Sequence, residues 1–344
     1  MTPPTPPALE TLLCRPLAIG GRTVGNRLAL APMVQLGNIA FRELLARFGG
    51  FGLMFTEMCS ARRILHENRY VSPYFRWRDE ELPWLVCQIY GNDPSVMADA
   101  ARRIEIEGFF GVDVNFGCAA SSICRQAGGA ALLKDPALAV RIVSGIRRAV
   151  RIPLFVKFRT GWRDDPQFAV DMARRFEDAG ADALTFHPRI APDRRTHPPK
   201  WEYIGRVKAA IHIPVFGNGN VFDAEDCLKM ITQTGCDAVA IGRIAVARPW
   251  IGTQWITGIP VDAPPYYETA LQMSELLSNH FHPKDALRRF IRFSLYFSAN
   301  FLFGHALHTK ILNARDMDAA RQCLAEFFET PPEVVTRPNM NFLI

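Results

Sequence analysis

One cysteine, Cys118, has the sequence context expected of a catalytic thiol. It comes three residues after the apolar run Val112–Asn115, on a loop that contains Gly117. A thiol that keeps its proton at neutral pH can act as a general acid. Most isolated cysteines are small buried hydrophobes, and core packing or a loop position explains Cys124 more simply. The position of Cys118 just past a strand favours catalysis.

Seven other apolar runs also end in residues that packing alone does not require. Burying an unpaired ammonium group is costly. Lys157 at a strand end therefore suggests a negatively charged partner, such as the anionic edge of a flavin ring. Gln88 would hydrogen-bond the polar face of the same ring. Glycines let backbone N–H groups approach an anion, and Arg243 adds charge-assisted donors, so the last two ends predict a phosphate site. Tight turns are the alternative role for those glycines. The seven ends are Ala31-Pro32-Met33, Glu57, Gln88, Lys157-Phe158-Arg159, His187-Pro188-Arg189, Gly217-Asn218-Gly219 and Gly242-Arg243.

These ends belong to eight apolar strands that alternate with amphipathic helices. This alternation predicts an α/β protein with a parallel sheet covered by helices. Eight units close naturally into a (β/α)8 TIM barrel, whose active sites lie at the carboxyl ends of the strands. An open doubly wound sheet is the alternative fold, but the GxGxxG turn expected after its first strand is missing. The absence of that turn from the sequence also favours a tightly bound FMN over a dinucleotide cofactor. The predicted strands are Leu28–Met33, Leu53–Thr56, Trp84–Ile89, Val112–Asn115, Leu154–Lys157, Ala183–His187, Val215–Asn218 and Ala238–Ile241.

The alternation stops after about residue 255, and only helical patterns follow. We therefore predict a barrel domain over residues 1–255 and a helical domain over 256–344, with the proline-rich Trp255–Pro265 as linker. The helices are expected at Glu268–Phe281, Asp285–Phe303 and Met317–Phe328.

Composition limits the class of protein and its surroundings. The chain has 344 residues, of which 49% are hydrophobic and 22% charged, as in a globular protein. The longest apolar stretch, Phe290–Leu307, contains Arg292, Asn300 and His305, so it predicts a buried helix and no membrane span. Met1–Leu13 lacks the features of a signal peptide. We expect a cytoplasmic protein.

Eight cysteines are scattered along the chain without metal-site spacing. We therefore expect reduced cysteines and no structural metal, with Cys87 and Cys227 in the core.

The net charge of +6 is spread unevenly. Basic residues gather in expected loops and in the C-terminal segment, which favours contact with a nucleic acid. They are Arg62-Arg63, Arg76, Arg78, Arg194-Arg195 and Arg288-Arg289-Arg292.

With these residues placed, the chain resembles the tRNA-dihydrouridine synthase family, flavin enzymes that reduce a uracil ring in RNA. The resemblance covers about residues 20–255 and extends weakly beyond, and the motifs are specific as an ordered set. They are Ala31-Pro32-Met33 with Phe41-Arg42, Thr56-Glu57-Met58, Gln88-Ile89-Tyr90-Gly91, Asn115-Phe116-Gly117-Cys118, Gly128–Asp135, Val156–Trp162, His187-x-Arg189, Gly217-Asn218-Gly219, Thr234–Asp237, Ile241-Gly242-Arg243 and Pro249-Trp250.

The resemblance implies a reaction and a role for each matched residue. NADPH would reduce FMN, a hydride would pass from FMN N5 to uracil C6, and Cys118 would protonate C5. Asn115 and Arg189 would face the uracil, which must be flipped out of the RNA to enter the barrel. The helical domain would hold the RNA, most simply tRNA, and the protein would be a monomer. The residues implied to surround FMN are Pro32, Met33, Gln88, Lys157, His187, Asn218, Gly219, Gly242 and Arg243.

Two loops depart from the family pattern. The family shows proline after the catalytic cysteine and a lysine soon after, whereas this chain has Ala119 to Ser122. The Thr-Arg pair and glutamine that follow His-x-Arg are replaced by Ile190-Ala191-Pro192-Asp193. Because the flavin-facing motifs match and the substrate-facing loops differ, an FMN-dependent ene-reductase of a small molecule is the alternative function. An RNA-binding protein that keeps flavin without turnover is a third.

Overall fold

The computed structural model describes residues 8–191, 193, 197–261 and 264–340. Eight parallel strands form a closed ring in which each strand pairs with the next and the last pairs with the first. The predicted TIM barrel is confirmed. The barrel strands are Leu28–Leu30, Leu53–Phe55, Leu85–Tyr90, Gly111–Phe116, Leu154–Gly161, Ala183–Ile190, Val215–Asn218 and Ala238–Ile241.

The first strand ends earlier than predicted, at Leu30 instead of Met33. Ala31 still donates its N–H to the carbonyl of Ile241. Pro32 has no N–H to donate, so the chain leaves the ladder there. Residues 31–33 consequently line the mouth of the barrel.

Helices cover the outside of the ring, and several begin at the aspartate–proline pairs seen in the sequence. Asp93 caps Ser95 N at 2.9 Å, and Asp135 caps Leu138 N at 3.0 Å. Such a cap with proline in the first turn satisfies free N–H groups. The helices up to residue 257 are Leu9–Leu13, Ile39–Phe48, Ala61–Ile64, Pro94–Ile106, Ser121–Cys124, Pro136–Ala149, Pro166–Asp178, Glu202–Ala210, Ala224–Thr234, Arg243–Ala247 and Ile251–Thr257, with 3-10 turns at Asp79–Trp84 and Gly129–Lys134.

The inside of the barrel is packed with aromatic and small side chains. The Phe155 ring meets the rings of Phe55 and Phe216 edge-on at 5.5 and 6.1 Å. A two-stranded hairpin, Leu17–Ile19 with Arg22–Val24, buries Leu17, Ile19 and Val24 in the same cluster. This hairpin was not predicted from the sequence. Filling the interior leaves the mouth as the accessible part of the barrel.

Within residues 264–340, four helices follow the barrel: Tyr266–His280, Pro283–Phe297, Gly304–Leu312 and Met317–Phe328. The third was not predicted, and the predicted helix to Phe303 ends at Phe297. The chain turns through a 3-10 segment, Ser298–Asn300, because Asn300 Nδ2 donates to the carbonyls of Ala247 and Phe297 at 2.7 and 2.9 Å. Side chain to backbone bonds of this kind compete with helix continuation.

The division into two domains is a prediction that the helix ends refine. Trp255, the expected start of the linker, lies buried inside helix Ile251–Thr257. That helix ends at the left-handed Gly258. We propose that the domain boundary falls after Gly258.

Candidate active site

The carboxyl ends of the eight strands surround a cleft of about 890 Å³. Its size is that of a pocket for a cofactor or a drug-sized ligand. Because parallel strands all end at one face, residues that are far apart in the sequence meet there. Of the predicted site residues, the cleft is lined by Pro32, Met33, Gln88, Asn115, Cys118, Lys157, His187, Asn218, Gly219, Gly242 and Arg243.

Cys118 is held by a chain of side-chain hydrogen bonds from the barrel interior. Gln88 Nε2 donates to Asp113 Oδ2 at 2.6 Å, and Asn115 Nδ2 donates to Gln88 Oε1 at 2.9 Å. Asn115 Oδ1 then accepts from the backbone N–H groups of Gly117 and Cys118 at 3.0 and 2.8 Å. Asn115 therefore orients the loop that presents Cys118 to the cleft.

Asp113 and Asn220 belong to this site and were not predicted from the sequence, and Asp113 is the more deeply buried of the two. It is fully buried, and burial raises the pKa of its carboxyl to about 7, against the opposing effects of Gln88 and Lys157. The available signal was an acidic residue inside an otherwise apolar strand, two positions before Asn115 and hence on the same face. Such a position predicts a polar contact in the barrel interior.

Lys157 and His187 continue the wall of the cleft on the fifth and sixth barrel strands, and Lys157 lies beside Asn115 in the sheet. Lys157 Nζ donates to Asn218 Oδ1 at 3.2 Å, and Asn218 Nδ2 donates to the Ala240 carbonyl at 2.7 Å. Burial and the neighbouring Arg159 lower the pKa of Lys157 to about 8. Burial and Arg159 also hold the pKa of His187 well below its usual value. At neutral pH the wall therefore presents a cationic lysine and an uncharged imidazole.

Gly219 has no room for a side chain. A Cβ atom there would lie 2.7 Å from Cδ2 of His187, and its φ of +121° is one that glycine tolerates best. The bare backbone next to Arg243 fits the predicted phosphate site. The adjacent Asn220 accepts from Arg243 at 2.8 Å through Oδ1, so a polar network extends past the end of the seventh strand.

Arg189 lies beside the cleft and is not one of its lining residues. Its side chain is buried, donates to Asn220 Oδ1 at 3.2 Å and pairs with Asp193 at 3.6 Å. The structure thus places Arg189 with Arg243 on Asn220. Its predicted contact with uracil stays a prediction.

Glu57 and Arg289 form a buried ion pair at 3.3 Å, outside the set of residues that line the cleft. Arg289 NH2 also donates to the Pro73 carbonyl at 2.7 Å, and its guanidinium lies 4.3 Å from the Phe281 ring. The expectation that Arg289 contacts RNA is therefore wrong, because its side chain is only 2% exposed. It joins the C-terminal helices to the end of the second strand.

The other predicted basic residues differ in exposure. Arg62 and Arg63 are exposed, whereas Arg76 bonds to the carbonyl of His280. Arg78 pairs with Glu81 at 3.8 Å. Arg194 and Arg195 lie outside the described residues.

The remaining cysteines separate by burial. Cys87 and Cys227 are buried, as predicted. Cys124 lines the cleft with its Sγ 3.6 Å from the Cys118 carbonyl, and burial raises the pKa of its thiol.

Among the residues described, no group of three or more potential ligands is arranged to hold a metal. No helix in the described ranges is both long and apolar enough to cross a membrane.

The fold and the cleft define a (β/α)8-barrel enzyme with its site at the strand ends, and comparison with known proteins identifies the family. The family model for dihydrouridine synthase matches residues 29–327. The tRNA-dihydrouridine synthase B of Pseudomonas aeruginosa is 41% identical over 233 residues, which are 68% of this chain and 70% of that protein. A probable tRNA-dihydrouridine synthase of Mycobacterium tuberculosis is 33% identical over 320 residues, 88% and 82% of the two chains. The chain belongs to the dihydrouridine synthase family.

Solved structures share the fold at low sequence identity. A 2-naphthoyl-CoA reductase has a TM-score of 0.58 at 17% identity, covering 74% of this chain but only 53% of that one. Morphinone reductase has a TM-score of 0.50 at 17% identity, covering 76% and 92%. At this identity the likeness concerns the barrel alone.

Proposed function

We propose that the protein reduces uridine to 5,6-dihydrouridine in tRNA, with FMN as cofactor and NADPH as reductant. Membership of the dihydrouridine synthase family supports the reaction. The observation that carries the proposal is the meeting of Cys118, Asn115, Lys157 and Gln88 in one cleft at the strand ends. Those residues supply a proton donor and the polar partners of a flavin.

The residues of the cleft fit FMN. Lys157 and Gln88 are suited to the polar edge of the isoalloxazine ring, and the neutral His187 can bond without adding charge. Gly219, where a Cβ would clash, leaves backbone open to an anion, and Arg243 supplies guanidinium donors for the phosphate. The fully reduced cofactor, when bound, supplies the hydride that adds to uracil C6.

The chain itself completes the addition with a proton. The hydride leaves negative charge on the C5 side of the ring, and the Cys118 thiol protonates C5. The Cys118 thiolate then regains a proton from water. The hydrogen bonds from Asn115 Oδ1 to the backbone of Gly117 and Cys118 keep the thiol in position through each cycle.

The reaction is tested by two measurements on the unmodified protein and its host. Purified protein should show flavin absorbance, and tRNA from cells without the protein should lack dihydrouridine at one or more positions. A yellow protein with an unchanged dihydrouridine map would favour an ene-reductase of a small molecule. A colourless protein that cannot be reconstituted with FMN would refute the assignment of the cofactor.

A basic stripe on helix Pro283–Phe297 supports the RNA substrate. Lys284, Arg288 and Arg292 are spaced four residues apart and exposed, so they share one face of the helix. The Arg288 guanidinium pairs with the partly exposed Asp285 at 2.7 Å. Such a stripe is suited to RNA phosphates.

Replacing Arg288 and Arg292 together by Gln should weaken tRNA binding and leave flavin content unchanged. The slope of log affinity against log salt concentration should become shallower by about 1 to 2. Binding of the variant neutralises fewer phosphates and therefore releases fewer counterions from the RNA. Binding titrations at several salt concentrations measure this. Arg102→Gln is the control, since Arg102 is equally exposed and has a matching ion pair with Asp99. Unchanged tRNA binding in the double variant would show that this face of the helix does not contact the RNA.

The proposed substrate indicates where the protein acts. We infer a cytoplasmic location, because the relatives are named as tRNA-modifying enzymes. The expected monomer stays a prediction.

A further inference from the structure

The C-terminal tail, residues 334–340, returns from the last helix to the mouth of the barrel. Val334 forms a β-bridge with Phe301, and Val335 N donates to the Asn300 carbonyl at 2.8 Å. Arg248 NH2 donates to the Val335 carbonyl at 2.8 Å. These bonds fix the start of the tail against the segment that follows the eighth strand.

The end of the tail reaches the residues expected to hold the cofactor phosphate. Arg243 NH1 donates to the Met340 carbonyl at 3.1 Å, while its NH2 donates to Asn220. Met340 is only 1% exposed. A second cavity of about 450 Å³ lies between residues 337–340 and the pair Asn220 and Phe222, both of which also line the main cleft.

Arg337 neutralises two carboxylates at this end of the cleft. Its guanidinium pairs with Asp223 at 2.9 Å and with Asp226 at 2.5 Å. It also lies 6.0 Å from the Phe222 ring, which Arg243 approaches to 4.8 Å. Asp223 and Asp226 are close to Phe222 in the chain, so without Arg337 their charge would oppose a bound phosphate.

We propose that residues 337–340 form the outer wall of the FMN phosphate pocket, with Met340 positioning Arg243 and Arg337 neutralising Asp223 and Asp226. This proposal rests on the proposed function, because it requires FMN as the cofactor. The Met340 carbonyl fixes the orientation of the Arg243 guanidinium before the phosphate arrives, and Arg337 removes the repulsion from the two aspartates. Preorganisation of this kind raises affinity without a new contact to the ligand.

The test compares FMN with riboflavin, which lacks the phosphate, as ligands of the apoprotein. Arg337→Ala should weaken FMN binding about 3- to 5-fold, since partly exposed ion pairs contribute modestly. Truncation after Thr336, which also removes the Met340 carbonyl, should weaken it by about tenfold or more. Riboflavin affinity should not change in either variant, and Arg337→Lys should recover most of the loss. The Arg337→Ala effect should shrink at high salt.

Arg315→Ala is the matched control, because Arg315 is exposed and pairs with Asp316 away from the cleft. Equal FMN affinity in wild type and both variants would overturn the proposal. A parallel loss of riboflavin affinity would also overturn it by indicating a general structural effect, and tighter FMN binding after truncation would identify the tail as a competitor. Wild-type protein that binds no FMN would instead refute the proposed function, and the role of the tail with it.

Discussion

Replacing Cys118 by Ala should leave the protein yellow and reduce tRNA turnover by about 10² to 10⁴, the usual contribution of a general acid. The flavin should bind normally, because the Cys118 backbone N–H, which bonds to Asn115, survives the substitution. Reduction by NADPH should also persist, since it does not require protonation of uracil. Single-turnover formation of dihydrouridine, measured beside NADPH oxidation in the same sample, separates the two half-reactions.

Cys124→Ala provides the matched control for this prediction. Cys124 lines the same cleft and lies against the Cys118 carbonyl, but its thiol is not the proposed proton donor. Its loss should change turnover only slightly. Wild-type rates in the Cys118 variant would show that another group protonates C5. A large defect in the Cys124 variant alone would transfer that role to the second thiol.

Replacing Arg289 by Ala should destabilise the protein by about 3 to 5 kcal/mol, the cost of breaking a buried ion pair. The variant leaves the Glu57 carboxylate buried without its partner, and that carboxylate is only 1% exposed. Burial already raises the pKa of Glu57, and Arg289 acts to lower it. Loss of Arg289 should therefore raise that pKa further. The midpoint of urea unfolding, monitored by circular dichroism, measures the change in stability.

The neighbouring residue gives the control, because Arg288 is exposed where Arg289 is buried. Arg288→Ala should change the free energy of unfolding by less than about 1 kcal/mol, as expected for a surface ion pair. If the two variants were equally stable, the Glu57–Arg289 pair would not join the C-terminal helices to the barrel. If Arg289→Ala instead kept full stability and lost RNA affinity, its interpretation as a buried structural residue would be wrong.

Local sequence determined the barrel and most of the residues around its mouth. The apolar runs of four to six residues and the aspartate–proline helix starts are properties of short segments, so they can be recognised without the fold. Since strand ends in such a barrel converge, the residues that follow each run could be assigned to one site. Cys118, Lys157 and Arg243 were identified in this way, and the structure brings them to one cleft.

Tertiary structure alone decided which charged side chains face inward. Arg288 and Arg289 are adjacent in the sequence, yet only Arg289 reaches Glu57, 232 positions away. The burial of Asp113 and the docking of Met340 on Arg243, 97 positions away, depend on the same kind of contact. Contacts between distant segments depend on how helices and tail pack against the barrel, and that packing leaves no local periodicity in the sequence to recognise.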